Sequence, residues 1–152
     1  MGQQQLLIII LVTIIIGIAT IIAVNTFETA AESANRDAVI IDISSLAAEG
    51  QQFYVNPVPL GGGGRSFAGF TIQGKVMSAT GINAAGDVAQ TENGTIEVRD
   101  TDGQEFTIVA HPSRCAGYLP GTVDESGVLS DYGTCSEADQ VLARVQPGNV
   151  VF

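Results

Sequence analysis

The side chains able to do chemistry are few. His111 and Cys115 could form a nucleophilic pair if the imidazole came within hydrogen-bond reach of the thiol to activate it. His111-Pro112 reads as a strand end, however, and a disulfide through Cys135 would consume that thiol. One histidine cannot supply two axial ligands, and no CxxCH segment is present, so haem has no site. Asp100, Asp102 and Glu105 form a DxDGxE fragment able to present oxygens to calcium. The twelve-residue EF-hand loop is incomplete, and acidic residues are routine in hairpin turns. Asp124, Glu125, Asp131, Glu137 and Asp139 read as a solvated acidic surface. The run Gly61 to Gly64 is followed by Arg65-Ser66 and not by GK[ST], so it is read as a flexible connection and not as a phosphate cradle. This inventory fits a structural or binding role; no cofactor is implied.

The elements that carry these residues divide sharply by composition. The 152 residues bear 16 acidic and 6 basic side chains, a net charge of −10. No charge occurs before Glu28. Without a basic footprint, nucleic acid is not an expected partner. The stretch Leu6–Val24 holds 16 apolar side chains in 19 residues. As a helix it is about 28 Å long, enough to cross a bilayer. A soluble domain has little use for a helix apolar on every side. A cleaved secretory signal would need a basic start and a shorter core, and Met1 to Gln5 has neither lysine nor arginine. The α-amino group is the one positive charge before the span, while Glu28 and Glu32 follow it, and the orientation is read as N-in and C-out.

The helical pattern continues beyond the span. Val39, Ile43, Leu46, Gly50 and Phe53 recur at spacings of three and four, predicting an apolar stripe for a globular head to cover. A second stripe of smaller residues comprises Ala34, Ala38, Ile41 and Ala48. Glu32 precedes Arg36 by four residues, an order worth a few tenths of a kcal/mol when paired. One helix from about Gln3 to Tyr54 is expected. The chain then organises as 1–27 (apolar helix), 28–56 (amphipathic continuation) and 57–152 (globular head).

In the head, Phe70–Met77 alternates as a strand. Asn93-Gly94 and Asp102-Gly103 suit the positive φ angles of type I′ hairpin turns, flanked by Ile96, Val98, Phe106 and Ile108. Pro147-Gly148 would join Val141–Val145 to Val150–Phe152. Asn93-Gly94-Thr95 also fits the N-glycosylation pattern, but the turn accounts for it better. The fold class is α+β: a long N-terminal hydrophobic helix packed on a small antiparallel sheet.

This layout resembles the bacterial type IV pilin and pseudopilin family. The motif-level likeness lies in residues 1 to 55, where IIIGIATIIAV, Ile14 to Val24, is similar to the glycine-bearing part of the family's helix. A cut after Gly2, the candidate processing site, would put Leu7 at the fifth mature position; if Met1 is the mature terminus, Gln5 takes the place of the family's glutamate. The resemblance implies an inner-membrane precursor handled by a pilus assembly machinery, then a filament of identical subunits at the cell surface. Leu7, Ile10, Ile14, Gly17, Ala19, Thr20, Ile21 and Val24 would pack its core, the smaller ones permitting close backbone approach.

Exposing the 14 large apolar side chains of Leu6–Val24 to water would cost roughly 20 to 40 kcal/mol, at about 1.5 to 3 kcal/mol each. A bundle of identical stems offers them an environment as apolar as lipid. A head facing an oxidising compartment makes a Cys115–Cys135 disulfide the default, and the family's C-terminal disulfide-bounded region is similar.

Overall fold

The computed structural model describes residues 2–76 and 79–152; Met1 and Met77, named above, lie outside them. Helix α1 runs Gly2–Val55, matching the expected element to within a residue at each end. The eight strands are β1 (Gly81–Ile82), β2 (Val88–Gln90), β3 (Gly94–Arg99), β4 (Phe106–Pro112), β5 (Thr122–Val123), β6 (Leu129–Ser130), β7 (Val141–Gln146) and β8 (Asn149–Val151). Six form an antiparallel sheet in the order β1-β2-β3-β4-β7-β8, and β5 and β6 form a separate pair. The fold is α+β, as expected. By compactness the chain divides into one unit ending at Ala34 and a second of Asn35–Phe152, so the division falls within the expected 28–56 segment.

In the first unit every described residue from Gly2 to Ala30 is exposed. The hydroxyls of Thr13 and Thr20 donate to the carbonyls of Ile10 and Ile16, so both polar side chains in the apolar run are satisfied within their own helix.

In the second unit the expected stripe is the buried face of α1. Val39, Ile43, Leu46 and Gly50 are buried, with Ala47 beside them, and Phe53 packs against the same core. They meet the sheet through Ile96, Val98, Phe106, Ile108, Ala143 and Val145. Alternation along β3, β4 and β7 places these residues on one side. Phe53, Tyr54, Phe67, Phe70 and Phe106 form an aromatic cluster with ring centroids 4.8 to 5.5 Å apart. The chain's one lysine, Lys75, lies 5.1 Å from the Phe70 centroid, spending its charge on a ring face. Gly50 is required by this packing, since a Cβ there would meet the fully buried Phe106 ring, 2.7 Å from Cε1 and closer still to Cζ. Gly50→Ala is therefore expected to destabilise the unit by about 1 to 3 kcal/mol, despite the better helix propensity of alanine, and a urea-unfolding midpoint checks it.

Polar side chains of α1 fix it to the loops. Asn35 donates to the Asn93 backbone carbonyl at 2.9 Å, and Asp42 accepts from the Asn93 side-chain Nδ2 at 2.9 Å. Gln51 donates to the Gln146 carbonyl and accepts the Gly148 N–H at 3.0 Å, so it grips the turn between β7 and β8. That turn is Pro147-Gly148, as expected, with Gly148 at φ 76°.

Three expectations are corrected. Phe70–Val76 is not a strand: Gln73–Lys75 is a turn closed by the Lys75 N–H on the Ile72 carbonyl. The apolar alternation there reflects burial of Phe70 and Ile72, not ladder pairing. The glycine run is a helix cap: the N–H groups of Gly63, Gly64 and Arg65 donate to the carbonyls of Phe53, Asn56 and Tyr54 at 2.7 to 2.9 Å. It thereby satisfies acceptors that a helix end leaves open. Neither expected type I′ turn forms, because Asn93, Asp102 and Gly103 all lack positive φ. The connection from β3 to β4 is instead a six-residue loop, Asp100 to Glu105.

Candidate assembly surface

Each expected packing residue, Leu7, Ile10, Ile14, Gly17, Ala19, Thr20, Ile21 and Val24, is exposed on α1. The 14 large apolar side chains from Leu6 to Val24 are between 45% and 68% exposed. A monomeric soluble protein rarely shows so continuous an apolar surface. The helix is long and apolar enough to cross a membrane. Gly17 has no neighbour within 4 Å of where its Cβ would stand. Nothing within the chain therefore requires glycine there, although it costs about 1 kcal/mol of helix propensity relative to alanine.

Cys115 and Cys135 are joined in a disulfide. The loop it closes lies over the side of the sheet turned away from α1, where Val109, Thr95 and His111 are buried with Cys135. His111 is fully buried in β4, and its Nδ1 accepts the Cys135 N–H at 3.2 Å. Burial pushes its pKa below the usual imidazole value, partly opposed by the Glu97 carboxylate, with the Arg99 charge a smaller lowering influence. With the folded value lowered, the unfolded chain takes up a proton first. Stability from this group is complete above about pH 6.5 and is lost as the pH falls toward the folded value. As the chain's one histidine, its imidazole resonances are expected to titrate with a midpoint below about 6.5 in a proton NMR titration. A His111–Cys115 catalytic pair is ruled out in this state, because the thiol is consumed in the disulfide.

Two of the three carboxylates considered for calcium are engaged separately. Asp102 accepts the N–H groups of Gln104 and Glu105, each at 2.9 Å, and these bonds hold its carboxyl below the usual range. Glu105 accepts from the Gln146 amide at 2.9 Å, while Asp100 adopts a positive φ of 54°. No group of three metal-ligating side chains is assembled among the described residues. Asp124 behaves like Asp102, capping a turn through the N–H groups of Val128 and Ser126. Asn93 of the glycosylation pattern is part-buried, with its amide committed to Asp42. The one ion pair among the described residues is Arg99–Glu97 at 2.7 Å, so the expected Glu32–Arg36 pair is not formed.

Sequence reasoning missed the covering of the sheet's second side and the burial of His111. A signal was present: Phe106–Pro112 (FTIVAHP) carries Val109 and His111 at the positions where a half-solvated strand would be polar, and such a run marks a strand covered on both sides. Compared with family models, curated proteins and solved structures, the chain matches none.

Proposed function

We propose that this chain is the structural subunit of an extracellular helical filament of the type IV pilin kind, serving adhesion or motility. The subunit begins as a membrane-anchored precursor and polymerises by packing of its N-terminal helix. The observation that carries this reading is the exposure of all 14 large apolar side chains between Leu6 and Val24, which needs either lipid or other apolar helices around it. Gly17 supports the second environment, because its missing side chain serves no contact within the chain and small residues let helices approach closely in apolar surroundings. A contact that repeats head to tail without closing yields a helical fibre.

The test is electron microscopy and peptide mass spectrometry of material sheared from cells. Long fibres built mainly of this chain are expected. Fibres in which it is a trace component favour a minor pseudopilin of a secretion system. Recovery solely as a monomer in the membrane fraction favours an anchored extracytoplasmic binding module.

A further inference from the structure

We infer that the segment between β4 and β7, residues 113–140, is a flap whose returning limb is released from the sheet by acid, with the imidazole of His111 as the latch. The outgoing limb is pinned by backbone groups away from that ring. The Ser113 N–H donates to the Asn93 carbonyl at 2.8 Å, and the Arg114 N–H to the Asn35 side chain at 3.3 Å. Gly121 donates to the Gln90 side chain at 2.8 Å. The returning limb, residues 131–139, is held differently. Among the described residues its one N–H or O–H group bonded to the sheet is the Cys135 N–H, and the acceptor is His111 Nδ1 at 3.2 Å. The ring is fully buried, and its Nε2 has no partner among the described residues.

Because Nδ1 accepts, the neutral ring carries its proton on Nε2. A second proton would stand on Nδ1, donor against donor with the Cys135 N–H, and would bring no acceptor to Nε2. The proton therefore binds Nδ1 once the Cys135 bond is broken, since the closed limb leaves the cation buried and unsatisfied. Neighbouring charges do not rescue it. From β3 come Glu97 and Arg99, already joined to each other at 2.7 Å. The flap brings two half-buried phenols, Tyr118 and Tyr132, uncharged in acid, while its Arg114, Asp131 and Glu137 are exposed. On β7, Arg144 is exposed beside Thr107 and not beside His111, and α1 lies against the other side of the sheet. An uncovered imidazole titrates near 6.5 and the closed one lower. Closure is thus undiminished above about pH 6.5 and weakens by up to about ten-fold per pH unit below it. The disulfide keeps the released limb tethered to Cys115. The latch works within a single subunit, so it stands apart from the filament reading.

The test is amide hydrogen exchange read by mass spectrometry on the full chain in detergent micelles, disulfide intact, from about pH 7.5 to about pH 4.5, with rates corrected for the intrinsic pH dependence of exchange. Relative to β3 and to the buried stripe of α1, residues 131–139 are expected to exchange at least ten-fold faster at the acid end, with an onset near pH 6.5. Asp124, the capping carboxylate of the flap, is held below the usual carboxylate range by the N–H groups it accepts, so its own step lies lower. His111→Asn offers the Cys135 N–H an oxygen acceptor that does not titrate, and it is expected to remove the acid response. An unchanged limb, equal quickening of all regions, or the same response in His111→Asn overturns the proposal. Should that variant not fold, the unsubstituted chain decides. A rise of no more than about ten-fold per pH unit, beginning near pH 6.5, is the signature of one imidazole. A steeper rise, or an onset below about pH 5 where carboxylates titrate, overturns it.

Discussion

Glutamate in place of Gly17 is expected to abolish filament formation while residues 35–152 fold as before. Position 17 lies within the apolar run, with Ile14, Ile15, Ile16 and Ile18 around it. A charged side chain at the middle of a membrane helix costs about 3 kcal/mol on insertion scales, and in a packed bundle every copy would add its own unpaired carboxylate. A Cβ at 17 has no atom within 4 Å beyond its own stretch of helix, and the buried core of the second unit is built from residues after Asn35. Fibre yield by microscopy and the thermal unfolding of the second unit separate the two effects, and undiminished fibre yield would sink the packed-stem reading. Gly17→Ala sharpens the comparison. Alanine improves the isolated helix by about 1 kcal/mol, so a fall in fibre yield with that variant reports contact with a neighbour and not damage to the chain.

The second large effect concerns the disulfide. Replacing Cys115 and Cys135 together by serine is expected to destabilise the second unit by about 3 kcal/mol, through release of the loop in the unfolded chain. The unfolding temperature should fall by on the order of 10 °C. The loss is concentrated on one side of the sheet. Cys135 donates its N–H to His111, and the segment it anchors covers Val109 and Thr95, both buried. Amide exchange should therefore quicken first between residues 113 and 140 and along β4, while the buried stripe of α1 stays protected. Equal exposure of both sides would contradict this two-layer account.

How far these elements were legible in the sequence depends on where each takes its information. Helix α1 was readable almost residue by residue, because Val39, Ile43, Leu46 and Gly50 encode both its period and its buried side. Strands β3, β4, β7 and β8 were readable from alternation and from Pro147-Gly148. Phe70–Val76 misled because alternation reports which side chains point inward, and Phe70 and Ile72 do so without a partner strand. The glycine run misled because conformational freedom in a sequence says nothing about hydrogen bonds to Phe53 and Tyr54, which lie in another element. The candidate calcium ligands shared that fate: their spacing is local, whereas Glu105 is claimed by Gln146, 41 residues away. The second stripe, Ala34, Ala38, Ile41 and Ala48, could be read from spacing, but that Ala34, Ile41 and Ala48 are exposed while Ala38 is half-buried became apparent only in three dimensions.

The threonine hydroxyls turned back onto α1 have a mechanical corollary. With Thr13 and Thr20 bonded to carbonyls of their own helix, the run from Leu6 to Val24 offers a neighbour no side-chain hydrogen bond. In the filament proposed above, its rods would be held to one another along this run by shape and apolar contact alone, so a steady pull would meet friction along their length where ion pairs would meet it with a lock.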